Sequence, residues 1–254
     1  CRQFIIYCMY GTLKKKFGQN FLIDKNIQKK IVSFIPKNNS NIIEIGPGDG
    51  RLTEWIIKTL PNELLLIEID IDLIPLLNSK FLRYKNIKII NQDILDYDFN
   101  EKIDLIISNL PYNISSQILL KICLNEFLPK NLILMFQKEF AFRLIDKKLN
   151  SLNSIVNCFY DISDKFNVSK NSFRPIPKID STVLLFTRKE NVLLKKNEIN
   201  DFIKFKRSLF SHKRKTLKNL LKEHHFLNNK FDLNKRVENL SLEELLEIFR
   251  LIKL

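Results

Sequence analysis

Short continuous apolar runs recur along the chain, separated by stretches in which apolar residues return every three or four positions. The runs are "NIIEIG" (41–46), "LLLIEID" (64–70), "IKIIN" (87–91), "DLIISNL" (104–110), "LILMFQ" (132–137), "FYDISDKF" (159–166) and "TVLLFTR" (182–188). Unbroken runs of this length predict strands covered on both faces. Between them, "RLTEWIIKTL" (51–60), "DLIPLLNSKFL" (72–82), "SSQILLKICLNEF" (115–127) and "KEFAFRLIDKKL" (138–149) have helical spacing. Strand–helix alternation predicts an α/β fold with a doubly wound, mostly parallel sheet. After about residue 195 the strand pattern stops. "EINDFIKFKRSLFSHKRKTLKNLLKEHHF" reads as basic helix, with Phe205, Leu209, Leu217 and Leu220 near one face. "SLEELLEIFRLI" predicts a last amphipathic helix, with Ser241 as N-cap and Glu244 closing a capping box. The expected division is a basic N-terminal extension and lid (1–40), an α/β domain (41–190) and a small α-helical domain (191–254).

Charge sharpens this division. The net charge is +14, and 254 residues at 45% hydrophobic suffice for one good core. Residues 1–40 carry eight Lys or Arg against one Asp, residues 195–254 carry fifteen against eight acids, and the middle is neutral. Two basic flanks beside a neutral core suit a polyanion. Cys1, Cys8, Cys123 and Cys158 show no C-x-x-C spacing, which fits a reduced compartment and not a disulfide framework. His212, His224 and His225 lack ligand-spaced partners, so no metal is expected. No apolar run is long enough to span a membrane. "CRQFIIYCMY" lacks the cleavage site of a signal peptide; a start near Met9, an extension or a targeting remnant are the readings of this segment.

The chain has only 5 Gly, and Gly46, Gly48 and Gly50 fall within "EIGPGDG". They occupy the first strand-to-helix turn, where glycine lets the backbone turn sharply and approach a ligand. A dinucleotide fingerprint would need its third Gly where Arg51 stands. Glu68 ends the second strand, placed for ribose hydroxyls, and Asp93 ends the third, placed for an adenine amine. The loop with Glu68 is ambiguous between NAD and S-adenosylmethionine, and the ligand is adenosine-like. The fourth strand ends in Asn109-Leu110-Pro111-Tyr112. An Asn oxygen and a backbone carbonyl can each accept one N–H of an exocyclic base amine. Pro111 removes a competing donor and stiffens the turn. Tyr112 can stack on the base, a contact worth roughly 1–3 kcal/mol.

With "KKKFGQNFLID", "EIGPGDGRLT", "IEID", "QDIL", "SNLPYNISS", "QKEFAFRL", "SFRPIPKIDSTV", "KRKTLKNLL" and "RVENLSLEEL" in this order, the chain resembles the rRNA adenine N6,N6-dimethyltransferases of the KsgA type from about residue 14 onward. The resemblance implies a seven-stranded class I methyltransferase (Rossmann-like) sheet. It also implies transfer of methyl groups from S-adenosyl-L-methionine to two adjacent adenines in the 3′-terminal hairpin loop of small-subunit rRNA. The family's cofactor contacts fall on Asn20, Leu22, Gly46, Glu68, Asp93 and Asn109, with Gly48 in the same loop. Catalysis falls on Asn109, Leu110, Pro111 and Tyr112. Phe173 falls on a second aromatic, either holding the base against Tyr112 or serving as a plain hydrophobic anchor. "GQNFLID" reads as a lid over the cofactor. Lys14, Lys15, Lys16, Lys206, Arg207, Lys213, Arg214, Lys215 and Lys218 are expected to contact rRNA of the immature small subunit. A cytoplasmic monomer is expected, or an organellar one if the N-terminal extension is a targeting remnant. The family's Tyr-Gly pair before the sixth strand is missing from "DKKLNSLNSIV".

Three other readings are weighed. A large-subunit rRNA methyltransferase of the macrolide-resistance type differs in its glycine loop and fourth-strand motif. A mitochondrial-type transcription factor on the same fold has no need of an intact Asn109, Tyr112 and glycine loop. An NAD-dependent dehydrogenase is disfavoured by Arg51 and "NLPY".

Overall fold

The computed structural model describes residues 19–37, 41–99, 102–224, 227 and 230–253. Lys14, Lys15, Lys16 and His225 lie outside them, as does most of the expected basic arm. All seven expected strands form, within two residues of the expected bounds. In chain order they are β2 (Asn41–Ile45), β3 (Glu63–Glu68), β4 (Ile87–Asn91), β5 (Leu105–Asn109), β6 (Asn131–Gln137), β7 (Tyr160–Val168) and β9 (Ser181–Arg188). They make one sheet in the order β4-β3-β2-β5-β6-β9-β7. The pairs from β4 to β6 are parallel, and β9 runs antiparallel to both β6 and β7. Two further short strands, β1 (Phe21–Leu22) and β8 (Phe173–Arg174), form a separate antiparallel pair with Leu22 opposite Phe173. Two-residue strands carry no periodicity, so the sequence gives no sign of them.

Side-chain alternation along the strands divides the core in two. Ile42, Leu64, Leu66, Leu105, Ile107 and Met135 pack with residues of α1 (Lys25–Val32), α2 (Thr53–Ile56) and α3 (Ile74–Phe81). Ile43, Ile45, Ile106, Leu132, Leu134 and Phe186 face the other way, toward α4 (Ser115–Leu124), α5 (Lys138–Ile145) and α6 (Asn153–Val156). Phe202 and Leu209 of α7 (Ile199–Phe210), Leu217 of α8 (Leu217–Leu220) and Phe249 of α9 (Leu242–Lys253) belong to that second cluster. The C-terminal helices therefore share the core of the sheet.

The long basic helix read from the sequence is broken. α7 ends at Phe210, and 211–216 is turn before α8. The N–H groups of Leu217 and Lys218 donate to Lys235 O and Leu233 O, not back along a helix. The capping box at α9 forms as expected: Glu244 N donates to Ser241 Oγ (3.1 Å) and Ser241 N to Glu244 Oε2 (2.8 Å).

Candidate active site at the carboxyl ends of β2 and β5

The strand order reverses at β2, with β3 and β4 on one side and β5 and β6 on the other. Open α/β sheets take ligands in the crevice at such a point. Here a crevice lies at that point, open to solvent. Its walls include the expected Asn20, Leu22, Gly46, Gly48, Glu68, Asn109, Leu110, Pro111 and Tyr112.

The glycine loop fits this role in detail. Gly46 has φ +64°, and a Cβ there would meet no atom within 4 Å. Such a side chain would be strained and would project into the space a ligand needs. Gly48 has φ +60°, and its Cβ would stand 2.8 Å from the Phe21 ring. Its N–H donates to Glu68 Oε2 (3.0 Å), while Asp70 N donates to Glu68 Oε1 (2.9 Å). Both carboxylate oxygens of Glu68 are thus aimed by backbone amides. Burial raises the Glu68 pKa, and those amides oppose the rise.

Glu44 and Asp49, to which the sequence reading gave no role, also line the crevice, together with Gln19 of the expected lid and Arg51. The available signal was an acid inside the apolar run "NIIEI". Glu44 is 2% exposed and accepts from Thr53 Oγ1 at 2.6 Å. Burial pushes its carboxyl from 4.5 up to about 8, so it holds its proton at neutral pH. Gln19 Nε2 donates to Asp70 Oδ2 (2.8 Å), tying the segment before β1 to the end of β3. Arg51 Nε pairs with Asp49 at 2.6 Å.

At the end of β5, Asn109 Nδ2 donates to Asn20 O at 2.8 Å. That bond fixes the carboxamide and leaves Oδ1 to accept from a ligand. Ser108 Oγ ties β5 to β2 through Ile45 O (2.6 Å), and Ser115 Oγ closes the turn on Pro111 O (2.9 Å). The Tyr112 hydroxyl meets Ser181 Oγ at 2.8 Å, which anchors a half-buried ring at the crevice wall.

Two expected site residues, Phe173 and Lys206, are placed differently. Phe173 is 0% exposed in the core beneath the β1–β8 pair, so it is an anchor and not a second wall for a base. Asp93 follows the end of β4 as expected, two residues beyond Asn91, which pairs with Glu68, and its Oδ1 accepts from Leu95 N (2.9 Å). Lys206 is buried: its Nζ donates to Ser151 O and to Ser151 Oγ (3.0 Å). Burial lowers its pKa from 10.5 to about 8, and its position removes it from the RNA-contacting set. Arg207, Lys213, Arg214, Lys215 and Lys218 are exposed. In place of the missing Tyr-Gly pair, the loop is stitched by Asn150 and Asn153, whose side chains reach Arg143 O and Lys148 O. Among the described residues, no three His, Cys, Asp or Glu side chains group as metal ligands, and no helix is long and apolar enough to cross a membrane.

The model of the ribosomal RNA adenine dimethylase family matches residues 11–254. A ribosomal RNA small subunit methyltransferase A of Pelagibacter ubique is 41% identical, over 96% of this chain and 97% of the relative. Its counterpart in Mycoplasmopsis pulmonis is 39% identical, over 93% and 97%. Among solved structures, a dimethyladenosine transferase from Plasmodium falciparum superposes with a TM-score of 0.79 at 27% identity, over 92% of this chain and 97% of that one. The 23S rRNA methyltransferase ErmE shares the fold, with a TM-score of 0.74 at 20% identity over 92% and 100% of the two chains.

Proposed function

The chain belongs to the ribosomal RNA adenine dimethylase family, and on that premise we propose how its crevice moves methyl groups from S-adenosylmethionine to N6 of adenines in ribosomal RNA. The substrate is small-subunit rRNA, at two adjacent adenines of the 3′-terminal hairpin loop, in an immature subunit. The enzyme works in the cytoplasm as a monomer. The 41–190 segment carries the chemistry, and 191–254 contributes RNA contacts.

S-Adenosylmethionine supplies a methyl group on a positively charged sulfur, which departs as the neutral thioether of S-adenosylhomocysteine. The residues present fit it. Gly46 leaves the approach open, and Glu68 offers two fixed oxygens to ribose hydroxyls. Leu22 and Asn20 close the crevice from the N-terminal side.

The observation that carries this reading is Asn109, held through Nδ2 by Asn20 with Oδ1 left to accept. Oδ1 takes one N6–H and the Leu110 carbonyl the other, which turns the amine lone pair toward the methyl carbon. The sulfonium would give up its methyl to N6 in one displacement, and the N6 proton would leave to water. No residue acts as a strong base. Catalysis is positioning and exclusion of solvent. Tyr112 stacks on the flipped base from one side; the other wall is not Phe173. For the second transfer, the monomethylated amine rotates so that its remaining N–H meets an acceptor.

The test is incubation with labelled S-adenosylmethionine and unmodified small subunits, followed by mapping. Label on two adjacent adenines of the 3′ hairpin supports the reading. Label confined to large-subunit rRNA, or none with folded protein, overturns it.

A further inference from the structure

A connected row of lysines and aromatic rings crosses the sheet face opposite the C-terminal helices. Lys58 and Lys29 both lie over the Trp55 ring, with Nζ 3.8 and 4.9 Å from its centroid. Trp55 Nε1 donates to Gln28 Oε1 at 3.0 Å, which holds the ring in place. Next along α1, Lys30 Nζ stands 4.2 Å over Phe166. Phe166 stacks on Phe34 with centroids 5.9 Å apart, and Lys165 Nζ lies 5.7 Å from Phe34. In a regular strand Lys165 and Phe166 would point to opposite faces. β7 shifts register between Asp164 and Phe166. That extra residue lets both reach the Phe34 side.

The three rings pack on the cluster beneath α1, α2 and α3, whereas the C-terminal helices belong to the cluster on the other face. Lys29, Lys30 and Lys58 are exposed and Lys165 is half-buried. Of the acids beside them in sequence, Glu54 pairs with Lys80 at 2.6 Å and Asp24 caps α1 through Asn26 N (2.9 Å), while Asp164 lies on a groove shared with α5.

We propose that this row holds the sugar–phosphate backbone of small-subunit rRNA. The enzyme then grips RNA on both sides of the crevice, with the exposed C-terminal lysines and arginines on one face and this row on the other. The inference rests on the small-subunit reading above. An ammonium group is a compact point charge that suits phosphate oxygens, and four of them in a row match a sugar–phosphate backbone. Ring contacts already restrict these side chains, so less rotamer freedom is lost when a phosphate arrives.

The test compares parent protein with K29Q/K30Q/K58Q/K165Q for binding to unmodified small subunits between about 0.05 and 0.2 M salt. The expected result is roughly tenfold or greater weakening near 0.1 M salt, with the slope of log K on log salt reduced by about 3. Affinity for S-adenosylhomocysteine should be unchanged, since none of the four lines the crevice. If the glutamine variant does not fold, K29M/K30M/K58M/K165M keeps the aliphatic stems over the rings and removes only charge. Unchanged subunit affinity and salt slope in a folded variant overturns the proposal. Normal binding to protein-free rRNA with weakened binding to subunits also overturns it, and assigns the row to an acidic ribosomal protein. Failure of the parent to methylate subunits would instead sink the reading on which the inference rests.

Discussion

Glu68 in the crevice and Lys206 in α7 are both buried ionisable residues, but their partners differ in kind. Lys206 spends its donors on Ser151, tying α7 to the loop before α6. Glu68 is aimed by two backbone amides, yet each oxygen keeps a lone pair for a ligand. Asn109 repeats the pattern: Nδ2 is used internally and Oδ1 is kept. The crevice collects polar groups that are fixed but not saturated, beside a glycine whose missing side chain leaves space. The C-terminal layer buries Lys206 for cohesion. Burial alone does not mark a functional residue; burial with capacity left over does.

The sharpest break of this comparison is Asn109→Ala. The lost acceptor matters most when the amine attacks, so the effect belongs in turnover and not in binding. Single-turnover methylation should fall by roughly 10²–10³, the scale for loss of one preorganised polar group. Affinity for S-adenosylhomocysteine and for subunits should change no more than a few-fold. Near-normal methylation would mean that the turn after β5 is structural only.

Protonation offers a second contrast, with opposite signs in the two regions. Folded Glu44 keeps its proton to about pH 8, whereas its ordinary value is 4.5. Between those values the unfolded chain holds fewer protons, so stability falls as pH rises. Folded Lys206 releases its proton near pH 8, against 10.5 for an ordinary lysine. Between those values the unfolded chain holds more protons, so stability rises with pH. Glu44→Gln should remove a fall of a few kcal/mol across the lower window, at about 1.4 kcal/mol per pH unit. Lys206→Met should remove a smaller rise across the upper one. Urea melts of parent and variants at a series of pH values read both, and parallel curves for parent and Glu44→Gln would contradict the crevice half.

The legibility of the molecule follows the same division. Strands β2, β3, β5 and β6 could be read because each is largely buried on both faces, and the apolar run and the strand are then the same object. The glycine loop, Glu68 and Asn109 could be placed because they end those strands. Phe173 was ambiguous: an aromatic in "SFRP" looks the same as a base clamp or a core anchor, and only its pairing opposite Leu22 decides. The break after Phe210 has no Gly or Pro to announce it. It comes from backbone bonds to 233–235, distant in sequence. Lys206 sat among basic neighbours, and its burial depends on Ser151, fifty-five positions away.

A third contrast concerns charge on the exposed part of the C-terminal layer. Lys213, Arg214 and Lys215 lie in the turn between α7 and α8, clear of the core. Reversing all three to Glu should weaken subunit binding by about tenfold or more and lower the salt slope by at least 2. Cofactor affinity should stay constant in calorimetry with S-adenosylhomocysteine. An unchanged salt slope would make this turn a solvated surface.

The smallest expected effect tests how the base is stacked. Tyr112 presents its ring to the crevice and anchors its hydroxyl on Ser181 Oγ at 2.8 Å. With Phe173 in the core, the proposed stacking falls to Tyr112, and the ring should matter more than the hydroxyl. Tyr112→Phe keeps the ring and removes a bond worth about 0.5–1.5 kcal/mol, while leaving the buried Ser181 hydroxyl without this partner. Methylation should therefore fall less than about tenfold. Tyr112→Ala removes the stacking surface as well, worth roughly 1–3 kcal/mol, and should lower both base capture and the rate. Single-turnover kinetics at several subunit concentrations separates the two variants. Equal losses in both would show that the hydroxyl, by holding β9 against the turn after β5, does the positioning and that the ring face does not carry the base.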